Sequence, residues 1–235
     1  MNNGQERQPW FGKLFVVNIS FLIAISWPLF SGIPQELNRV TLVNETGLEL
    51  TRFYWSPTYQ GTREPVWGPN VLTLKKSLAY GQALSFYIHY PDTCGLFDFL
   101  AFDSQGNGYS MRSFQVCNRE EGLILLEPRH RVSAELLPKF EEISVEFIND
   151  SPIEIWFLFL SPQSFSLWGF DVLSDGSVLG PGDRVEIIVP YKVGDQKGQL
   201  YDLLAVDGRD QLFNDRFEFS VGSTVALRLS NLIRR

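Results

Sequence analysis

The strongest constraint on what this chain can fold into is that most of it is written twice. The stretch LVNETGLELTRFYWSP from Leu42 aligns with FINDSPIEIWFLFLSP from Phe147 at an offset of 105, setting Asn44 on Asn149 and Thr46 on Ser151. A four-residue deletion then lowers the offset to 101. Trp67-Gly68-Pro69-Asn70-Val71-Leu72 meets Trp168-Gly169-Phe170-Asp171-Val172-Leu173, and Leu78 and Gly81 meet Leu179 and Gly182. LFDFLAFD, from Leu96 to Asp103, matches LYDLLAVD, from Leu200 to Asp207. Five blocks in one order mean two copies of a single structural unit.

Each copy reads as β. LELTRFYW and IEIWFLFL are rich in aromatic and β-branched residues, and ALSFYIHY, RVEIIVPY and VALRL are short apolar runs bounded by Gly, Pro, Asn or Asp. FDFLAF is apolar at successive positions, which predicts a central strand covered on both faces. Helical periodicity is nearly absent outside the N-terminal segment. The expected fold is therefore mainly β: two tandem β-sandwich domains of general immunoglobulin-like form, over 40–128 and 141–231. A charged connector, 129–140, joins them.

Ahead of the repeats, Leu14 to Ile33 is a run of 20 residues without a charge, the length that spans a bilayer core as a helix. Trp10, Phe11 and Trp27 suit its interfaces, and Arg7 and Lys13 favour a cytoplasmic tail over 1–13. Asn18 within the span would seek a partner on a neighbouring helix. The rival reading is a cleaved signal peptide, which has a shorter apolar core and small residues before its cut; a cut after Gly32 would set Phe30 at the third position back. Either way the repeats are expected outside the cytoplasm, as in a periplasm, and a retained anchor makes this a single-pass membrane protein.

The two cysteines agree with export. A hairpin turn centred between Gln105 and Gly106 pairs positions whose numbers sum to 211, and 94 + 117 = 211, so Cys94 and Cys117 would face each other as a disulfide requires. Two buried free thiols are the alternative.

Several motifs invite chemistry. Asn44-Glu45-Thr46 and Asn149-Asp150-Ser151 match a glycosylation signal, but both end a strand at the same place in each copy, where Asn closes turns by bonding nearby backbone. Trp67 and Trp168, each before a Gly, read either as plugs closing a sandwich end or as platforms for a sugar or peptide. Asn70, Asp98, Asp171 and Asp202 are the candidates for a loose calcium site at the sandwich end. Asp98 and Asp202 lie in apolar runs and are expected to be capped by loop amides. The turn from Asp103 resembles the start of a calcium loop, yet its twelfth position is Phe114 rather than Glu.

Other chemistries find no footing. The formal charge of −7 opposes nucleic-acid binding, which needs a basic surface. The only histidines, His89 and His130, have no triad-like neighbours, there is no G-x-S-x-G elbow, and GDQKGQ lacks phosphate-loop spacing. No catalytic residue, cofactor or resident metal is expected.

The sequence of N-x-[ST], SP, WG-x-[ND]-x-L, a Gly turn and [FY]-D-x-x-A-x-D resembles a small secreted bacterial β-domain of uncharacterised function, here in tandem over roughly Val40 to Leu229. The resemblance implies a Cys pair flanking the [FY]-D strand, which the second copy lacks, and no catalytic residues. The expected role is a non-catalytic, membrane-anchored interaction protein. It would be an accessory subunit of a larger membrane complex, such as an electron-transport or photosynthetic one, with Asn18, Trp67 and Trp168 as contact candidates. The alternative is a secreted module binding glycan or calcium through its Trp-Gly loops.

Overall fold

The structure, a computed structural model, describes residues 37–58, 65–89, 94–117, 121–163, 165, 167–174, 176–192, 199–208, 212–219, 224–228 and 232–233. The expected tail and span, with Asn18, lie outside those residues. Among the described residues no helix is long and apolar enough to cross a membrane.

The first copy supplies β1 (Leu37–Asn44), β2 (Leu50–Pro57), β3 (Ala83–His89), β4 (Cys94–Asp103), β5 (Gly108–Cys117), β6 (Gly122–Leu126) and β7 (Arg131–Val132). The second supplies β8 (Phe140–Asn149), β9 (Ile155–Pro162), β10 (Gly169–Phe170), β11 (Arg184–Lys192), β12 (Gln199–Asp207), β13 (Leu212–Phe219), β14 (Thr224–Leu227) and β15 (Leu232–Ile233). Two short 3-10 turns, Pro128–His130 and Ala134–Leu136, occupy the connector. The chain is mainly β, in several sheets consistent with sandwich packing.

Among the described residues four sheets form, in the orders β10-β3-β1-β6, β2-β4-β5-β7, β11-β8-β14 and β15-β13-β12-β9. In β1 every second side chain, from Asn38 to Asn44, is buried, the mark of a strand with one face on a core. Val40, Leu42, Phe86 and Ile88 of one sheet meet Phe53, Phe97, Phe99 and Ala101 of the next in the first core. Val145, Phe147, Ile187 and Val189 meet Leu158, Leu160, Leu203 and Ala205 in the second.

The central strand β4 is buried on both faces, as its composition predicts. Phe97, Phe99 and Ala101 face the sandwich core, whereas Leu100 and Phe102 join Tyr54 and Trp67 in a separate cluster on the other face.

The repeat extends to individual hydrogen bonds. Asn44 N donates to Gln82 O at 3.0 Å and Asn149 N to Asp183 O at 3.0 Å; Gly81 N donates to Asn44 O at 2.7 Å and Gly182 N to Asn149 O at 2.8 Å. Both glycines stand at positive φ, 76° and 81°, which a residue with a Cβ adopts only with strain.

Candidate functional site

Three of the four calcium candidates, Asn70, Asp98 and Asp171, turn out to hold backbone. Asn70 Oδ1 accepts from Phe53 N at 2.9 Å and Leu72 N at 3.1 Å. Asp171 Oδ1 accepts from Leu158 N at 2.9 Å and Leu173 N at 3.1 Å. These are the same bonds in the two copies: each residue satisfies buried amides where its loop meets the edge of β2 or β9. Asp98 accepts from Thr58 Oγ1 at 2.7 Å and from Ser113 N at 2.8 Å, with Arg112 3.6 Å away. Asp202 pairs with Arg216 Nε at 2.5 Å.

The expected loop amides are therefore replaced by a strand amide and a hydroxyl in one copy and a guanidinium in the other. Asp98 needs the amide because β5 carries a bulge opposite it, with Ser113 at φ 54°. The β12–β13 ladder has no bulge, so Asp202 directly faces Arg216. Among the described residues no three His, Cys, Asp or Glu side chains gather as metal ligands would.

The N-x-[ST] motifs close turns. Asn44 Nδ2 donates to Leu48 O and Leu78 O, both at 2.8 Å, while its Oδ1 accepts from Thr46 N at 3.1 Å and Thr46 Oγ1 at 2.8 Å. Asn149 repeats the set with Ile153 O, Leu179 O and Ser151. Both Asn side chains are fully buried, so a glycan on Nδ2 would displace two hydrogen bonds in the core. Asp103 organises the β4–β5 turn through Gln105 N, Asn107 N, Asn107 Nδ2 and Tyr109 Oη, at 2.8–3.0 Å. Burial alone would raise the pKa of Asp103. The bonds from Asn107, Tyr109 and Gln105 outweigh it and hold the carboxyl below the usual carboxylate range.

Cys94 and Cys117 are bonded, as the spacing predicts, and lie opposite each other in the β4–β5 register. The reason is subtler than a turn centred between Gln105 and Gly106. Near the turn the pairs sum to 210, as in Phe102↔Gly108, and the bulge at Ser113 adds the residue that makes Cys94↔Cys117 sum to 211.

The two Trp-Gly segments form the most distinctive site. Within its own copy each runs beside an edge strand: Gly68 N donates to Trp55 O and Val71 N to Phe53 O on β2, and Val172 N donates to Leu158 O on β9. Each also reaches the other copy. Asp171 N donates to Tyr87 O on β3 at 2.8 Å, and Asn70 N donates to Ile188 O on β11 at 2.9 Å. Tyr87 and Ile188 are 101 residues apart, as are Asn70 and Asp171, so one bond is the pseudo-two-fold image of the other. Each segment staples an edge strand of its own copy to an edge strand of the neighbour, giving both a partner for exposed N–H and C=O groups.

The exchange reaches the cores. Gly169 and Phe170 pair with His89 and Ile88 as an added strand, and Phe170 is fully buried in the first copy's core among Phe86, Trp55, Phe97 and Phe99, at centroid distances of 5.0–5.8 Å. Burying one such ring contributes roughly 1.5–3 kcal/mol. In return Leu74 of the first copy packs against the core of the second.

Trp67, expected to plug a sandwich end, instead lies at 6% exposure over the outer face of β2 and β4, with Tyr54, Leu100 and Phe102. Half-buried Trp168 covers Phe159, Leu204 and Val206 at the equivalent place. The plugs of each copy's own core are Val71-Leu72 and Val172-Leu173.

Chemically, then, the conspicuous polar and aromatic residues of both loops are spent on backbone satisfaction and packing between copies. Sequence reasoning paired the two loops by alignment and missed their exchange; the apolar Phe170, standing where the first copy has Pro69, was the available signal. No protein-family model matches the chain, and no curated protein matches its sequence.

Proposed function

We propose that this chain is a non-catalytic, membrane-anchored interaction protein of the extracytoplasmic side, an accessory subunit of a larger membrane complex. In this reading 14–33 is a single transmembrane helix. The rest is a tandem pair of immunoglobulin-like sandwiches, of the uncharacterised secreted β-domain type that the motifs resemble. The parallel pairing of the first strand of each copy with a late one, β1 with β6 and β8 with β14, supports the immunoglobulin-like form.

The observation that carries the functional reading is the inward commitment of both Trp-Gly segments. Buried carboxylates and amides that could have bound a ligand hold turns and bulges instead. Binding of glycan or calcium would call for exposed Trp67 and Trp168 with converging carboxylates, and Trp67 is buried. What remains outward is strand and loop surface, including exposed Leu96, Leu123 and Leu200.

Cross-linking mass spectrometry on native membranes tests topology and partner together. The expected result is cross-links from the β repeats to extracytoplasmic loops of integral membrane subunits. Detergent extraction as a lone, monodisperse 26.9 kDa protein with no cross-linked neighbour would overturn the subunit reading.

A further inference from the structure

We propose that Cys94–Cys117 is a thiol–disulfide exchange site, entered at Cys94. Three observations carry this independently of the subunit reading. The bond joins directly opposed residues at the open end of the β4–β5 hairpin. Its two residues differ in exposure: Cys94 is exposed, whereas Cys117 is half-buried beside the fully covered Val116. The fold also contains its own control. The equivalent hairpin of the second copy keeps an unbroken ladder from Gln199↔Phe219 to Val206↔Leu212 without any cysteine. A hairpin that closes unaided in one copy needs no covalent bolt in the other, and an exposed bolt is open to attack.

The chemistry follows from the displacement geometry of sulfur. An incoming thiolate approaches along the S–S axis from behind the sulfur it attacks, which favours the sulfur of the more exposed residue, Cys94. A new bond forms between the incoming sulfur and Cys94 Sγ, and the Cys94–Cys117 bond breaks. Cys117 departs as a thiolate and takes a proton from water. The oxidation level is unchanged at this mixed disulfide. A second thiol then displaces Cys94 as thiolate, leaving both cysteines reduced and the two external thiols joined as a disulfide. The substrate class is a thiol, with a dithiol favoured because its second sulfur resolves the mixed disulfide within one encounter.

The full-length protein, in detergent and without denaturant, is incubated with reduced glutathione, quenched by alkylation and mapped by peptide mass spectrometry. The expected product carries glutathione on Cys94 and the alkyl group on Cys117, formed at a rate within about tenfold of that in the urea-unfolded chain. Glutathione mapped mainly to Cys117 would overturn the proposal, as would exchange slower than unfolded by about a thousandfold. A parallel arm uses dithiothreitol and follows near-ultraviolet circular dichroism. Complete reduction with the folded spectrum retained is expected, and loss of the spectrum on reduction would show a structural staple and refute the proposal. The double variant C94S/C117S repeats that arm without reductant and should keep the folded spectrum.

Discussion

The two copies solve one packing problem with different residues, and the comparison separates what the architecture requires from what it tolerates. Asn70 and Asp171 differ in charge yet make the same two bonds through Oδ1, so the architecture requires one acceptor oxygen there, on either side chain. The residues beneath the glycines differ more. In the first copy Trp55 is fully buried, and a Cβ built on Gly68 would stand 2.4 Å from its ring and one on Gly169 1.8 Å. The equivalent of Trp55 in the second copy is Leu160. One indole therefore occupies the space between both Trp-Gly segments, and both glycines are held by it.

The flanks differ as well. Tyr54 Oη donates to Glu142 Oε1 across the copies, with Arg52 Nη1 3.7 Å from the same carboxylate. At the image position Phe159 packs with Leu37, and Phe157 with Tyr87. One flank is polar and the other apolar.

The sharpest way to break this asymmetry is Trp55→Ala, which empties the shared space. It should cost about 4 kcal/mol, against about 3 for Leu160→Ala, in urea denaturation at equilibrium. Equal losses would mean that the indole serves one copy only.

Gly169→Ala comes next. Its φ of 77° and its contact with Trp55 combine to cost about 3 kcal/mol. In a Trp55→Leu background, which removes the ring, the cost should fall to about 1 kcal/mol, the part due to φ alone. A double-mutant cycle reads the difference, and an unchanged cost would place the strain elsewhere.

Tyr54→Phe makes the polar flank resemble the apolar one and should cost about 1.5 kcal/mol, the worth of a hydrogen bond to a charged acceptor. A neutral result would mean that Arg52 satisfies Glu142 by itself.

The smallest effect concerns pH. Because the folded-state pKa of Asp103 lies below its ordinary 3.8, the stability it contributes is whole above that value and is lost as pH falls through the folded-state pKa. Asp103→Asn should remove that part of the acid sensitivity below pH 3.8, seen as a flatter Tm-against-pH curve. A curve parallel to wild type would exclude Asp103 as a contributor.

Much of this was legible in the residues. The duplication, the turn role of Asn44 and Asn149, the two-sided burial of FDFLAF and the facing cysteines all follow from local spacing and local bonding. What was not legible was mostly non-local. Periodicity says that Phe170 is buried; it carries no information on whose core receives it. The bulge at Ser113 was hidden for another reason. It depends on a positive φ at a residue that is not glycine, and only its compensation of the turn centre let the cysteine arithmetic succeed. Trp67 and Trp168 read as plugs because a large ring beside a glycine is apolar in either role, and sequence does not tell an inner face of a sheet from an outer one.

If the copies are truly interlocked, the amides that cross between them open only when the whole molecule does. Native-state hydrogen exchange at Asn70 N–H and Asp171 N–H measures this directly. Protection at both sites should equal that of the core amides of β4 and β12, and should fall in step with them as urea is added. Free exchange at either amide while β4 and β12 stay protected would mean two separate sandwiches that merely touch.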